Sequence, residues 1–238
     1  MKRFLISLFA VAAVIESFAV DFRNGKYYFE YREDNRNEAQ IVSADSGYKG
    51  DLVIPSTATD NSGKKLPVTG IGTWAFWGST ITTLTLPAGI NYIGEEPFSS
   101  CPTLKEFIVD AGNATFKAVD GVLMTADGTT LVAFPAAKAD NYVIPEQVDS
   151  IGDNAFNDCG NLKQITIPAS VRKIGNYAFA ACTSLSEIRI AVAEPIAVPD
   201  NAFNGVDKPN CRLIVPKGSA EAYSTDIVWS AFKIEEEE

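Results

Sequence analysis

Histidine is absent from all 238 residues. The usual general base, the commonest metal ligand and the side chain whose ordinary pKa lies nearest neutrality are missing with it. Cysteine is scarce, at four residues with no CxxC pair among them, so neither a zinc site nor a redox dithiol is expected. Basic residues are outnumbered, 20 against 30 acidic, which sets the net charge at −10. A surface of that sign repels phosphate backbones and anionic lipid, so nucleic acid is not expected as a partner. No GxSxG, HExxH, P-loop or dinucleotide motif occurs. Adjacent acids such as Glu95-Glu96 diverge in a turn and make no acid–base couple. The chain therefore reads as a non-enzyme, with no catalytic residue, metal ligand or cofactor assigned.

Long apolar runs are missing too, with one exception at the N-terminus. Lys2 and Arg3 precede an uncharged apolar run over residues 4–15, and Ser17-Phe18-Ala19 follows with small residues at the two positions a signal peptidase reads. A run of about a dozen residues is short for a hydrocarbon layer of about 30 Å. Residues 1–19 are therefore expected to be a signal peptide, cleaved after Ala19. No Cys follows the run to carry a lipid. Cleavage removes two of the 20 basic residues and one of the 30 acidic ones, leaving a charge near −11. The expectation is an exported protein with no membrane insertion after cleavage: secreted, periplasmic or at the cell surface. The acidic run at residues 235–238 reads as a solvated end.

What the sequence does contain is a repeat. Ile-Gly pairs stand at Ile71-Gly72, Ile93-Gly94, Ile151-Gly152 and Ile174-Gly175, and four residues after each Gly comes Phe76, Phe98, Phe156 or Phe179. A fifth member, Ala202-Phe203, keeps the aromatic alone. Apolar-Pro steps at Ile54-Pro55, Leu86-Pro87, Ile144-Pro145 and Ile167-Pro168 lie between them. The Phe spacings are 22, 58, 23 and 24, the 58 holding one ordinary step and about 35 inserted residues. A period near 23 is too short for helical-hairpin repeats and falls in the leucine-rich range. In Leu162-Lys163-Gln164-Ile165-Thr166-Ile167, Leu162, Ile165 and Ile167 face one way and Gln164 and Thr166 the other. Pro168 ends the strand ladder, and Gly175 is expected to permit a tight turn. A single coil cannot bury its apolar side, but stacked coils cover one another.

These residues resemble a known family. The pattern of residues 167–188, with Ile167-Pro168, Val171, Ile174-Gly175, Ala178-Phe179, Cys182 and Leu185 in register, is similar to the BspA-like leucine-rich repeats of bacterial surface proteins. Pro97 before Phe98 and the missing Ile-Gly of the fifth repeat depart from that pattern. The resemblance implies a mainly β, right-handed leucine-rich-repeat solenoid with short helical turns and caps at both ends. It also implies a protein-binding role, since better-known members bind extracellular-matrix proteins.

The expected organisation after the signal is one solenoid domain over residues 20–238. Residues 20–70 form an N-terminal cap, residues 71–204 the repeats with a hairpin insertion at about 110–140, and residues 205–238 a C-terminal cap. In the N-terminal cap, Asn24-Gly25 is expected to turn into a strand at residues 27–31, with Ser62-Gly63-Lys64 a second turn. In the insertion, Asp120-Gly121 and Asp127-Gly128 flank short apolar runs, a hairpin pattern that also reads as an irregular repeat filling its own core. The C-terminal cap should hold a strand at residues 213–215, a helical turn at residues 219–223, and Trp229 and Phe232 over the last coil. Cys101, Cys159 and Cys182 share one slot, three residues after the repeat Phe, which suits a ladder of buried thiols; a Cys159–Cys182 bridge is not excluded by the rung spacing. Asn113-Ala114-Thr115 matches a glycosylation acceptor, a short pattern common by chance.

Function is left to the outward strand face. Alternation places Thr83, Thr85, Glu106, Ile108, Gln164, Thr166, Glu187 and Arg189 there, as a continuous polar ribbon with one exposed Ile. The leading expectation is an exported adhesion module that binds a protein, such as a host extracellular-matrix or cell-surface protein, through this face. The alternative is a periplasmic scaffold that self-associates through solenoid edges. Few aromatics fall on the outward strands, which disfavours a glycan.

Overall fold

A computed structural model describes residues 20–43 and 47–238. The expected signal peptide at residues 1–19 lies outside them. The described residues wind into stacked coils, mostly β, with one short α-helix among them, Ala220–Thr225.

Each regular coil has three sides. The first is a strand ending at the apolar-Pro step, and its parallel stacking gives two sheets. One holds Lys49–Val53, Thr80–Leu86 and Glu106–Val109; the other holds Asn141–Val143, Gln164–Ile167, Glu187–Ile190, Arg212–Val215 and Lys233–Glu236. In the second sheet the register is one-to-one, with Gln164 beside Glu187 and Thr166 beside Arg189; the first has a bulge between Gly50 and Asp51. The second side is the short Ile-Gly strand, with Ser150–Ile151 beside Lys173–Ile174. The third side has no strand assignment but still forms a ladder. The Phe76 N–H donates to the Pro97 carbonyl at 2.9 Å, Phe156 to Ala178 at 2.7 Å and Phe179 to Ala202 at 2.8 Å. The core is a column of phenylalanine rings, with Phe156 stacked on Phe179 at 4.9 Å and Phe179 on Phe203 at 5.2 Å.

One sequence expectation needs correction. The repeat glycines are not turn residues, because Gly72, Gly94, Gly152 and Gly175 are absent from the positive-φ set. The left-handed residues are Trp74, Glu96, Asn154 and Tyr177, each two positions after the Gly. The glycine is there because the coils touch: a Cβ on Gly94 would stand 2.5 Å from the Thr73 nitrogen, and one on Gly175 2.6 Å from the Asp153 nitrogen.

The long interval after Phe98 holds the one ordinary step expected of it, after 36 irregular residues. It contains a coil of its own, because Ala133-Phe134 stands one rung before Ala155-Phe156. The Phe134 ring lies 5.0 Å from Phe156, and its N–H donates to the Ala155 carbonyl at 2.7 Å. The irregular part therefore runs from Phe98 to Phe134. It holds the expected hairpin, Phe116–Val119 with Val122–Thr125, turned at Asp120-Gly121 with φ of 48° and 73°. Val122–Thr125 continues antiparallel to Thr130–Ala133. Val122, Leu123, Met124 and Leu131 are fully buried, the first and last two in the core of the C-terminal coils and Leu123 in that of the N-terminal coils.

At the N-terminal end Tyr27–Tyr31 pairs with Phe22–Asn24, and Tyr48 reaches the Phe76 ring at 5.3 Å. At the other end Trp229 and Phe232 meet the Phe203 ring at 5.2 and 5.1 Å. All four cysteines are buried free thiols. The Cys101 and Cys182 thiols point at the carbonyls of Phe76 and Phe156, at 3.0 and 3.1 Å, so the shared slot is a ladder of small groups on the preceding coil. Burial pushes the Cys101, Cys182 and Cys211 thiols up to about 12, and Cys159 well above its ordinary value, which leaves them poor nucleophiles.

Candidate functional site

The outward strand face is two columns of side chains, built by the alternation along each strand. The first column runs Asp51, Thr83, Glu106 in one sheet and Asn141, Gln164, Glu187, Arg212, Lys233 in the other. The second runs Val53, Thr85, Ile108, then Val143, Thr166, Arg189, Ile214, Glu235. All eight sequence-assigned residues fall on these columns, four in each sheet. The ribbon is not continuous, however. Hydrogen bonding breaks between Glu106–Val109 and Asn141–Val143. The Phe107 N–H is taken by the Gly121 carbonyl at 2.8 Å, so the hairpin turn occupies the position of the next rung.

The columns differ in chemistry at their two ends. At the C-terminal end they carry an ion-pair chain across three rungs. Arg189 Nε donates to Glu187 at 2.8 Å, Arg212 donates to Glu187 at 2.6 Å and to Glu235 at 2.7 Å, and Lys233 reaches Glu235 at 2.9 Å. Glu187 is consequently only 7% exposed, a buried acceptor rather than the open contact residue expected. Ile214, on the same outward register, is 4% exposed. The Arg212 guanidinium, with Lys233 beside it, holds the Glu235 carboxyl down at about 2. A depressed carboxylate contributes stability above its unfolded pKa and loses it as pH falls through the folded one, so this rung weakens between the ordinary 4.5 and about 2. Carboxyl NMR titration should place the Glu235 midpoint near 2, and Arg212→Gln should return it toward 4.5.

Over the remaining rungs the second column is apolar where the first is polar. Val53, Ile108 and Val143 are 59%, 45% and 67% exposed, with Thr85 and Thr166 among them. Sequence reading found Ile108 but missed the two valines. Their signal was present: each is the residue immediately before an Ile-Pro step, the place Thr166 holds before Ile167-Pro168. Asn113 is not an accessible glycosylation acceptor. It is buried, its amide donates to the Pro87 and Ile90 carbonyls at 3.1 and 2.9 Å, and its oxygen accepts from Thr115 and Phe116. Among the described residues no helix is long and apolar enough to cross a membrane.

A model of the BspA type leucine rich repeat region matches residues 62–118 and 132–218, in six copies. Six is also the number of stacked Phe positions once Phe134 is included. None of the curated proteins matches the chain. Among solved structures, a leucine-rich repeat protein from Eubacterium ventriosum is similar at a TM-score of 0.51 and 20% identity, over 71% of this chain and 49% of that one. This chain thus spans about half the length of that protein. A leucine rich cell surface protein from Faecalibacterium prausnitzii gives 0.41 and 16%, over 94% and 96% of the two chains. The T. pallidum leucine rich repeat protein gives 0.42 and 20%, over 92% and 97%.

Proposed function

This chain belongs to the BspA-type leucine-rich-repeat family, and from that premise we propose that it is an exported adhesion module that binds a protein on cells or in the extracellular matrix. Family membership suggests a repeat-based protein-interaction role. What carries the finer reading is the second outward column. Val53, Ile108 and Val143 stand in solvent at matching positions of the coil, with threonines between them. Apolar side chains set in a polar, rigid sheet face are the usual makings of a protein contact. The segment of residues 1–19, with its charged start and apolar middle, supports export. Glu106, Gln164 and Arg189 form the polar rim in this reading, while Glu187 holds Arg189 and Arg212 in place.

The test is binding of the purified protein to a panel of immobilised matrix proteins and intact cells. Replacing Val53, Ile108 and Val143 together by Asp should weaken any binding at least about tenfold, while the melting midpoint moves little because all three are exposed. Failure to bind any surface, or binding indifferent to the triple variant, would overturn the assignment to this face.

A further inference from the structure

The insertion leaves a cleft of about 680 Å³ on the turn side of the solenoid, away from the outward strands. Its origin is a shortened coil. In a regular coil the Phe follows the Ile of the Ile-Gly strand five residues later, as Phe156 follows Ile151. In the inserted coil Leu131 takes the Ile position beside Ile151, and Phe134 follows only three residues later. The turn arm of that coil is missing, and the cleft stands in its place.

The wall next to it keeps the hydrogen-bonding edge that the missing arm would have met. One coil earlier, Phe76 and Gly78 donate their N–H groups to Pro97 and Ser99. The equivalent donors on the Phe98 coil are Glu96, Phe98 and Ser100, at alternate positions as on a strand edge. Ser100 is satisfied by a side chain, the Asp158 carboxylate, at 2.9 Å. Among the described residues the N–H groups of Glu96 and Phe98 have no acceptor, and on the opposite wall the Asp153 carbonyl has no donor. The core shows the same gap. Phe76, Phe134, Phe156, Phe179 and Phe203 are all buried, whereas Phe98 is only half-buried and lines the cleft. The lining also carries Glu95, Glu96 and Asp153 but no lysine or arginine, and none of the three acids has an ion-pair partner among the described residues.

From this arrangement we infer that the cleft binds a short, extended, cationic peptide segment of another protein. Its backbone carbonyls accept from Glu96 and Phe98, completing the ladder in the manner of strand addition to an open edge. An aromatic or large aliphatic side chain of the segment covers Phe98, and flanking Lys or Arg residues meet Glu95, Glu96 and Asp153. The cleft is a separate site from the outward strand face, and its occupancy does not depend on that face.

The probe is the blocked pentapeptide Lys-Ala-Phe-Ala-Lys, titrated into the protein by fluorescence anisotropy and by amide NMR with hydrogen exchange. Saturable binding below about 1 mM is expected, with slowed exchange confined to the Glu96 and Phe98 amides and their neighbours. The counterpart Glu-Ala-Phe-Ala-Glu should bind at least about tenfold more weakly, and so should the lysine peptide to a Glu95→Lys/Glu96→Lys variant whose circular dichroism is unchanged. The triple Asp variant of the outward column should bind the peptide normally, which separates this inference from the adhesion reading. No binding, binding that leaves the Glu96 and Phe98 amides unprotected, or stronger protection of the same amides by a neutral oligosaccharide would overturn it.

Discussion

Replacing Phe179 by Ala should lower stability by about 4 kcal/mol, the scale of deleting a fully buried aromatic ring, and the melting midpoint by roughly 10 °C. Phe179 is the central ring of a stack, 4.9 Å from Phe156 at an interplanar angle of 12° and 5.2 Å from Phe203 at 3°. In a solenoid each coil touches only its neighbours, so this ring couples the coils before and after it. The expected signature is loss of a single cooperative transition, with the C-terminal coils melting first. Phe179→Leu separates the two contributions. It keeps most of the buried area but removes two stacked pairs, each worth about 0.5–1.5 kcal/mol beyond area, so it should cost roughly half as much. Phe98→Ala, at the half-buried position on the cleft, should cost clearly less than Phe179→Ala. Equal losses at positions 98 and 179, measured by calorimetry and by chemical denaturation, would contradict the picture of one column with a gap.

The regular part of that column was legible because its physics is local. An alternating strand, a Pro that stops it, an Ile-Gly pair and a Phe recur within two dozen residues, and each has a reason that neighbouring residues supply. The interval's length showed that it held one ordinary coil, but not where, because two of those signs are gone: Leu131-Val132 replaces Ile-Gly, and the step to Phe134 is shortened. Only the Ala133-Phe134 pair, 22 residues before Ala155-Phe156, still marked it. The same change broke the ribbon, since a hairpin turn now stands where the next rung would be.

On the outward face, alternation placed all eight named residues on the columns but did not give their exposure. Glu187 sinks because Arg212 reaches it from the next rung, and that rung lies across a stretch of broken period, 25 residues on. Val53 and Val143 were overlooked because an apolar residue next to an Ile-Pro step looks like core when read along the chain. Only the stacking of rungs shows that both point outward with Ile108.

The glycines expose the same limit and lead to the second large effect. Gly94→Ala and Gly175→Ala should each cost about 3 kcal/mol, at the upper end for forcing atoms into a packed site. Neither position needs a positive φ, so strain in the turn is not the cause. Besides the Thr73 and Asp153 side-chain oxygens, a methyl group meets backbone of the preceding coil: the Thr73 nitrogen at 2.5 Å and the Gly72 carbonyl carbon at 2.9 Å for Gly94, the Asp153 nitrogen at 2.6 Å and the Gly152 carbonyl carbon at 2.7 Å for Gly175. Backbone cannot swing aside as a side chain can. The coils must part, stretching the bonds from Gly94 to Ile71 at 2.8 Å and from Gly175 to Ile151 at 2.9 Å. Gly72→Ala and Gly152→Ala should be milder, because their closest contacts are 3.1 and 3.0 Å. Gly218→Ala supplies the opposite control: nothing lies within 4 Å, but φ is +83°, so its loss of about 1–2 kcal/mol is purely conformational. Equilibrium denaturation of the five variants should rank Gly94 and Gly175 as the most costly. If all five cost the same, the repeat glycine would be a turn residue after all, and the close seating of one coil on the next would not be what fixes it in the sequence.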